Sequence, residues 1–261
     1  MIIDTHAHYD DAQFESDREE ILTSLLGHGI EKAIDVSSTA GSLDAVAGLM
    51  RKYKFIYGAF GLHPDETGDL TPENVGKIKA YLSDPKAVAV GEIGLDYHWM
   101  VQSKETQAEC FRKQLALALE FQKPVILHSR DAAEDTLNII KEIYGKGGPG
   151  WKNSRKGVMH CYSYSPEMAR IYTSMGFYLG IGGVVTYKNS KKLKETVRET
   201  PLCRILLETD CPYLSPEPNR GKRNSSLNLP YVVQAIADIK DCPAEEVEEA
   251  AENNAMELFR F

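Results

Sequence analysis

The stretch QAECFRKQLALALEFQKPVILH, residues 107–128, combines two kinds of hydrophobic pattern. Over 107–121 the apolar residues recur at spacings of three and four, which is typical of a helix that packs against a sheet. The run KPVILH at 123–128 is short and apolar, which predicts a buried strand. A helix that leads into a strand is the unit from which parallel sheets are built, so this stretch favours an α/β fold.

The same alternation extends along the chain. Thr71-Pro72-Glu73 and Ser165-Pro166-Glu167 each place a capping hydroxyl before a proline that suits the first helical turn. A last helix is predicted over 243–258. Strands are predicted at 1–4, 32–37, 55–61, 87–94, 123–128, 157–162, 177–183 and 204–210.

Eight strands, each followed by a helix or loop, predict a (β/α)8 (TIM) barrel that forms a single domain over residues 1–261. A doubly wound open sheet is the competing fold. It usually has fewer strands, and its nucleotide-binding members carry a glycine-rich first turn, which HAHYDD at 6–11 is not.

The composition is typical of a soluble globular protein, with 43% hydrophobic and 26% charged residues. No apolar run is long enough for a membrane span and no secretory signal opens the chain, so we expect a cytoplasmic protein with no membrane partner. Five scattered cysteines without a CxxC pair indicate neither a disulfide framework nor a zinc ribbon. The net charge of −8 argues against gripping long nucleic acid by bulk electrostatics, and no obligate protein partner is evident.

Side chains that can bind a metal fall at the carboxyl ends of five predicted strands. His6 and His8 stand two residues apart, so both can face the same side of an extended chain. In a barrel the carboxyl ends of the strands converge on one face, where active sites are built. A structural role accounts easily for any one such residue, but not for residues at five strand ends. The candidate ligands are His6, His8, Glu92, His128, His160 and Asp210.

This donor set predicts two divalent metal ions. Four imidazoles and two carboxylates, without cysteine, suit Zn²⁺, Mn²⁺ or another divalent metal of intermediate softness. The predicted cofactor is two divalent ions, with Zn²⁺, Mg²⁺ and Mn²⁺ as the candidates. A single catalytic ion commonly keeps three protein ligands and an open position, so six ligands are too many for one ion. Two ions about 3.5–4 Å apart use the set better. Glu92 is the natural bridge between them because it comes from the middle of the series.

Seven short motifs resemble, in order, those of the TatD family of metal-dependent hydrolases in the amidohydrolase superfamily. The resemblance runs from the first residues to the end of the chain. It implies a metal-dependent deoxyribonuclease, including removal of nucleotides from 3′ ends, with DNA or other nucleic-acid ends as the substrate. The motifs are DTHAHYD at 4–10, GLHP at 61–64, GEIGLDY at 91–97, PVILHSR at 124–130, HCYS at 160–163, ETDCPYLSP at 208–216 and RGKRN at 220–224.

The resemblance also implies roles for individual residues. One ion would be bound by His6, His8, Glu92 and Asp210, and the second by Glu92, His128 and His160. Asp210 would orient and deprotonate the attacking water, so that a hydroxide bridging the two ions hydrolyses the phosphodiester bond. Asp210 and Glu92 are therefore the predicted catalytic residues.

Substrate contacts are predicted at His63, in GLHP, and at Arg220 and Arg223, in the basic cluster after the eighth strand. Barrels frequently bind phosphate near the loops after strands 7 and 8. Family members often continue RN with Glu-Pro, whereas here Ser225 and Ser226 follow, which puts substrate preference in doubt.

Two residues near the predicted ligands are open to either a functional or a structural interpretation. Asp96 and Arg130 could surround Glu92 and His128, or they could form a structural ion pair. His98 occupies a position where aromatic residues are usual in the family, and we assign it no chemistry.

Two other functions remain open. The same hydroxide could attack a carbonyl, giving an amidohydrolase-type esterase, deacylase of misacylated tRNA or lactonase, because the fold does not fix the substrate. A non-catalytic binding or scaffold protein could also keep the barrel. Loss of a ligand or of Asp210 would indicate that second case, and every ligand is present.

Overall fold

Eight parallel strands alternating with helices give this chain the (β/α)8, or TIM, barrel fold, as predicted. The computed structural model describes residues 1–153 and 155–261. In the sheet the strands follow one another in chain order. Strands β1 to β8 are Ile2–Ala7, Ile30–Val36, Ile56–Ala59, Ala87–Asp96, Val125–Arg130, Gly157–Met159, Tyr178–Ile181 and Ile205–Leu207.

The helices begin where the capping signals place them. Thr71 Oγ1 accepts a hydrogen bond from Asn74 N at 3.3 Å, and Ser165 Oγ accepts one from Met168 N at 3.4 Å, so both predicted caps are confirmed. No helix in the described parts of the chain combines the length and the apolarity needed to cross a membrane. Helices α1 to α9 are Arg18–Ser24, Ser42–Lys52, Pro72–Leu82, Lys104–Glu120, Ala133–Tyr144, Pro166–Ser174, Lys191–Glu199, Leu229–Lys240 and Ala244–Phe259.

The strand ends differ from the predicted ones at the residues of interest. β1 continues to Ala7, so His6 lies inside the strand and not beyond it. β8 ends at Leu207, and Asp210 beyond it adopts a left-handed backbone conformation, with φ of 58°. Asparagine and aspartate tolerate this conformation better than most residues. The Asp210 amide then donates to the His6 carbonyl at 2.9 Å, which fixes the turn against β1.

One compact unit contains the first and last strands of the barrel. Within it Leu179 of β7 lies opposite Ile205 of β8. β1 runs beside the end of β8, where Ala7 forms a parallel bridge with Cys211. This unit consists of Met1–Asp35, Cys161–Ser174 and Tyr178–Glu257.

A second compact unit contains β3 to β6 and helices α2 to α5. β4 is its longest strand and is buried throughout. Gly94 of β4 lies opposite His128 of β5, and Val125 of β5 lies opposite Gly157 of β6. The single domain over 1–261 stays a prediction. This unit consists of Val36–His160, Met175–Phe177 and Leu258–Phe261.

Replacing Gly94 by alanine is expected to lower the free energy of unfolding by about 3 kcal/mol or more. Gly94 has a φ of 150°, and a Cβ there would overlap the backbone of His128. The matched control is Gly48→Ala in α2, where a Cβ meets nothing within 4 Å. That variant should be more stable by about 0.5–1 kcal/mol, because alanine favours helix. Urea unfolding measures both, and equal stabilities would contradict the account.

Candidate metal centre

Three of the predicted ligands come together in the first unit and form what we term the His6 cluster: His6, His8 and Asp210. The two imidazole Nε2 atoms lie 3.0 Å apart. Asp210 Oδ1 lies 3.7 Å from Nε2 of His6 and 3.5 Å from Nε2 of His8. Both histidines are buried, whereas the Asp210 side chain is partly exposed.

The His6 cluster is positioned by β1 and by Asp4. Residues two apart on a strand share a face, which brings the imidazoles of His6 and His8 to the same side. Asp4 accepts hydrogen bonds from Thr209 N at 3.0 Å, from Thr209 Oγ1 at 2.7 Å and from Ser226 Oγ at 2.6 Å. Burial raises the pKa of Asp4 to about 6 despite these bonds. Asp4 therefore ties the residue before Asp210 to β1.

The donor set of the His6 cluster fits a divalent cation. Two neutral imidazoles can share only one ring proton between their facing nitrogens, so a cation satisfies both lone pairs where a proton satisfies one. A carboxylate oxygen faces the same point and supplies negative charge. Two nitrogen ligands and one oxygen ligand are typical of Zn²⁺ and also suit Mn²⁺.

The other three predicted ligands lie in the second unit and form the His128 cluster: Glu92, His128 and His160. Glu92 Oε1 lies 2.8 Å from His128 Nδ1 and 3.8 Å from His160 Nε2. Glu92 and His160 are buried. Nitrogen and oxygen ligands again converge, so this cluster also fits a divalent cation.

Asp96 holds His128 from the side away from Glu92. Its Oδ2 lies 3.0 Å from His128 Nε2, while Glu92 faces Nδ1. A carboxylate on one ring nitrogen fixes the tautomer and leaves the other nitrogen free to bind a metal. Of the two interpretations left open, this contact matches a residue that orients His128, and the Arg130 guanidinium lies instead over the ring of Trp99.

These contacts hold a proton on His128 in the metal-free protein. Burial lowers the pKa of His128, but the hydrogen bonds with Asp96 and Glu92 outweigh it and raise the pKa to about 9. Burial also disfavours ionised Asp96, yet its hydrogen bonds with His128 and backbone amides lower its pKa to about 2. At neutral pH, His128 is therefore a cation between two carboxylates.

The affinity of the His128 cluster for a divalent cation is expected to rise about tenfold per pH unit between about pH 6.5 and 8.5, because the cation must displace the His128 proton. The stability of the metal-free protein changes in the opposite direction. Its protonated His128 stabilises the fold fully below pH 6.5, and this contribution is lost as the pH rises through about 9. Calorimetric titration with Mn²⁺ measures the affinity, and an affinity independent of pH would contradict the assignment. In Asp96→Asn the rise should level off at a lower pH.

His63 lies beside the His128 cluster. Its ring centroid is 4.3 Å from that of His128, and its Nδ1 accepts a hydrogen bond from Asp65 N at 3.3 Å. Ligand atoms of His63, Glu92 and His128 all lie within 4.8 Å of one another. A substrate held by the His128 cluster would therefore be in reach of His63, and its role as a phosphate contact stays a prediction.

The two predicted arginine contacts have different surroundings. Arg220 is exposed, and its guanidinium lies 4.2 Å from the ring centroid of Tyr187. Arg223 instead pairs with Asp17, its Nη1 2.8 Å from Oδ1 and its Nη2 2.5 Å from Oδ2. This ion pair occupies the guanidinium, so a substrate role for Arg223 requires the pair to open and stays a prediction.

Two buried residues were not singled out as site residues from the sequence. Glu208 accepts a hydrogen bond from Cys161 N at 2.6 Å, and a Cβ at Gly180 would overlap its carboxylate. The signal for Glu208 is its place two residues before Asp210 in the predicted strand at 204–210, where residues two apart would share a face. Ser226, where the sequence departs from the family pattern, is fully buried against Asp4 and Tyr9. That position therefore belongs to the scaffold of the His6 cluster.

Comparison with known proteins finds similarity over the whole chain. A family model described as TatD related DNase matches residues 3–260. The chain is 43% identical to an uncharacterized metal-dependent hydrolase, YabD, of Bacillus subtilis (strain 168), with 100% of both chains covered. It is 32% identical to an uncharacterized metal-dependent hydrolase, YcfH, of Escherichia coli (strain K12), with 100% of this chain and 96% of that one covered.

A solved structure has the same architecture. YjjV, a TatD homologue from Escherichia coli K12, has a TM-score of 0.89 and 30% identity, over 100% of this chain and 98% of that chain. A TatD family hydrolase from Entamoeba histolytica has a TM-score of 0.85 at 22% identity, over 99% of this chain and 97% of that chain. At that identity the second likeness concerns the fold alone.

Proposed function

Because the chain belongs to the TatD family of metal-dependent hydrolases, we propose that it is a deoxyribonuclease that removes nucleotides from the 3′ ends of single-stranded or fragmented DNA. The family predicted from the ordered motifs is thereby confirmed. The observation that carries the proposal is the convergence of His6, His8 and Asp210, which supplies a cation site that includes a carboxylate. The description of the family as TatD-related DNase supports DNA as the substrate.

Each cluster is assigned one divalent cation, with Zn²⁺, Mn²⁺ and Mg²⁺ as the candidates. The nitrogen ligands favour Zn²⁺ or Mn²⁺, whereas Mg²⁺ prefers oxygen ligands and keeps several waters. That Glu92 is shared between the two ions stays a prediction. The same holds for a cytoplasmic location.

The chemistry requires a nucleophile, a base and neutralisation of charge. When bound, the cations lower the pKa of water towards neutrality and offset the negative charge on the phosphoryl oxygens. Asp210 orients the attacking water and accepts its proton, a role that suits an ionised carboxylate within hydrogen-bond reach of that water. The left-handed backbone at Asp210 and the bond from its amide to the His6 carbonyl keep this carboxylate aimed at the two imidazoles.

The substrate phosphate is held locally. His63 is next to His128, and Arg220 is half exposed, with its guanidinium over the Tyr187 ring and its Nη1 3.9 Å from Glu217 Oε1. Short contacts of this kind suit a protein with a net charge of −8, which repels long stretches of phosphate backbone. The arrangement favours a strand end over continuous wrapping of a duplex.

The direct test compares two ester substrates on the metal-loaded protein. One is a single-stranded oligonucleotide labelled internally, so that shortening from the 3′ end is visible as a ladder, and the other is an aminoacyl ester. We expect turnover of the oligonucleotide to be favoured and to stop when a chelator is added. A clear preference for the aminoacyl ester would contradict the nuclease and support the deacylase.

The polarity of cleavage needs its own control. The same oligonucleotide with a phosphorothioate at the last 3′ linkage should resist shortening, whereas one modified at the first 5′ linkage should not. Resistance in the second oligonucleotide only would contradict 3′ removal. Equal turnover of the oligonucleotide by the metal-free and the metal-loaded protein would contradict metal dependence.

A further inference from the structure

The loop that follows β4 exposes three large apolar side chains in succession. Trp99, Met100 and Val101 are 63%, 44% and 58% exposed. Burying contiguous exposed apolar groups against a partner is favourable, and such groups commonly mark interaction sites. The metal chemistry described above uses none of these three residues.

This loop is braced by buried polar groups. The amides of His98 and Trp99 donate to Asp96 Oδ1 at 2.8 and 3.1 Å. Gln107 of α4 is fully buried and donates to the carbonyls of Asp96 and Gln102 at 2.9 and 3.0 Å. Both ends of the loop are therefore held, and Trp99 is presented on an ordered segment.

The brace also reaches the His128 cluster. While Asp96 Oδ1 accepts from the Trp99 amide, Asp96 Oδ2 lies 3.0 Å from His128 Nε2. One buried carboxylate thus holds both the loop and a candidate metal ligand. The backbone that carries the exposed indole is consequently held relative to the His128 cluster.

A positive charge lies against the indole. The guanidinium carbon of Arg130 is 5.5 Å from the ring centroid of Trp99, which is a cation–π contact. Arg130 is exposed and stands two residues after His128, and within residues 1–153 and 155–261 its guanidinium has no hydrogen bond or ion pair, although its carbonyl accepts from Tyr97 N. The guanidinium is therefore available to an anion beside the His128 cluster.

On the basis of the proposed nuclease function, we propose that Trp99 is the stacking platform for an unpaired nucleobase of the substrate and that Arg130 binds the adjoining phosphate. Proteins that bind single strands combine aromatic surfaces for bases with cationic groups for the backbone. A base within a duplex is already stacked and paired, so this platform selects single-stranded ends. Stacking tolerates every base, and we expect little sequence preference.

The first test substitutes the platform. Trp99→Ala should raise KM for a single-stranded oligonucleotide by about 5- to 150-fold, the range that the loss of one base stack gives. Trp99→Tyr should recover most of this loss, because the ring can still stack. Trp151→Ala is the matched control, since Trp151 is the second of two tryptophans and is 44% exposed, and it should change KM less than twofold.

Changes in the substrate separate stacking from a general effect on the fold. With the terminal nucleotides replaced by tetrahydrofuran residues, which lack bases, the KM ratio between Trp99→Ala and wild type should shrink towards one. Arg130→Gln should weaken the binding of oligonucleotides with and without terminal bases equally. It should also reduce, by about one, the slope of the logarithm of the binding constant against the logarithm of the salt concentration, as expected for the loss of one phosphate contact.

Fluorescence gives a readout that does not depend on turnover. In Trp151→Phe, Trp99 is the remaining tryptophan, and its emission should be quenched by a single-stranded oligonucleotide but not by inorganic phosphate. Unchanged emission, an unchanged KM in Trp99→Ala, or a change of oligomeric state in that variant would each overturn the platform. Absence of activity of the wild type on every oligonucleotide would instead overturn the nuclease function on which it rests.

Discussion

Replacing Asp210 by asparagine is expected to lower the rate of hydrolysis about 10²- to 10⁴-fold at saturating metal, the range associated with loss of a general base. Asparagine preserves the shape and the backbone amide that donates to the His6 carbonyl at 2.9 Å. It removes the negative charge that faces two imidazole nitrogens at 3.7 and 3.5 Å, and it cannot accept a proton from water. Single-turnover rates on the 3′-end substrate measure the effect.

The matched control for this change is Asp238→Asn on α8, whose carboxylate is exposed and accepts a hydrogen bond from Gln234 at 2.8 Å in the same helix. Its rate should stay within twofold of wild type. Metal content of both variants is measured in parallel, because Asp210 is also a candidate ligand. A rate for Asp210→Asn within tenfold of wild type at full metal occupancy would contradict the assignment of Asp210.

Replacing Glu92 by glutamine is expected to lower the metal content of the His128 cluster and to slow hydrolysis by about 10²-fold or more. The loss corresponds to the several kcal/mol of charge stabilisation that a bound cation supplies. Glu92 is buried, and its Oε1 lies 2.8 Å from His128 Nδ1. A neutral amide in that place leaves the cluster without a carboxylate ligand.

An exposed glutamate provides the comparison. Glu109→Gln in α4 removes an ion pair with Lys113 at 2.8 Å and should change neither metal content nor rate. Raising the Mn²⁺ concentration should restore part of the activity of Glu92→Gln. Full metal content together with a normal rate in this variant would remove Glu92 from the site.

The barrel could be predicted because its signal is local. Each strand is an apolar run of a few residues, and each helix carries apolar residues at helical spacing, as in KPVILH at 123–128 and the segment before it. The ends of the strands are predicted less accurately. β8 ends before Asp210, which has a left-handed backbone and a bond to the His6 carbonyl, and neither feature follows from hydrophobic pattern.

Part of the candidate site was also predictable. The period of two along a strand places His6 and His8 together, and the structure brings their Nε2 atoms to 3.0 Å. The rule that strand ends carry the active site selected Glu92 and His128 from separate strands, and these two are in contact.

The remaining features depend on contacts between distant residues. The bond between Asp96 and His128 requires the register of β4 against β5, which no local pattern specifies. Arg223 pairs with Asp17, which is 206 residues away in the chain. Sequence alone indicated a basic cluster there, but it could not indicate that a carboxylate neutralises one of its members.

We propose that the His6 and His128 clusters each bind one divalent cation and that both cations are needed to hydrolyse a phosphodiester. The most direct measurement adds Mn²⁺ stepwise to metal-free protein while bound metal and the shortening rate of a 3′-end oligonucleotide are followed in the same samples. We expect the rate to stay near zero at one equivalent and to reach its plateau at two. A full rate without bound metal, or saturating metal with no hydrolysis of any oligonucleotide, would contradict it.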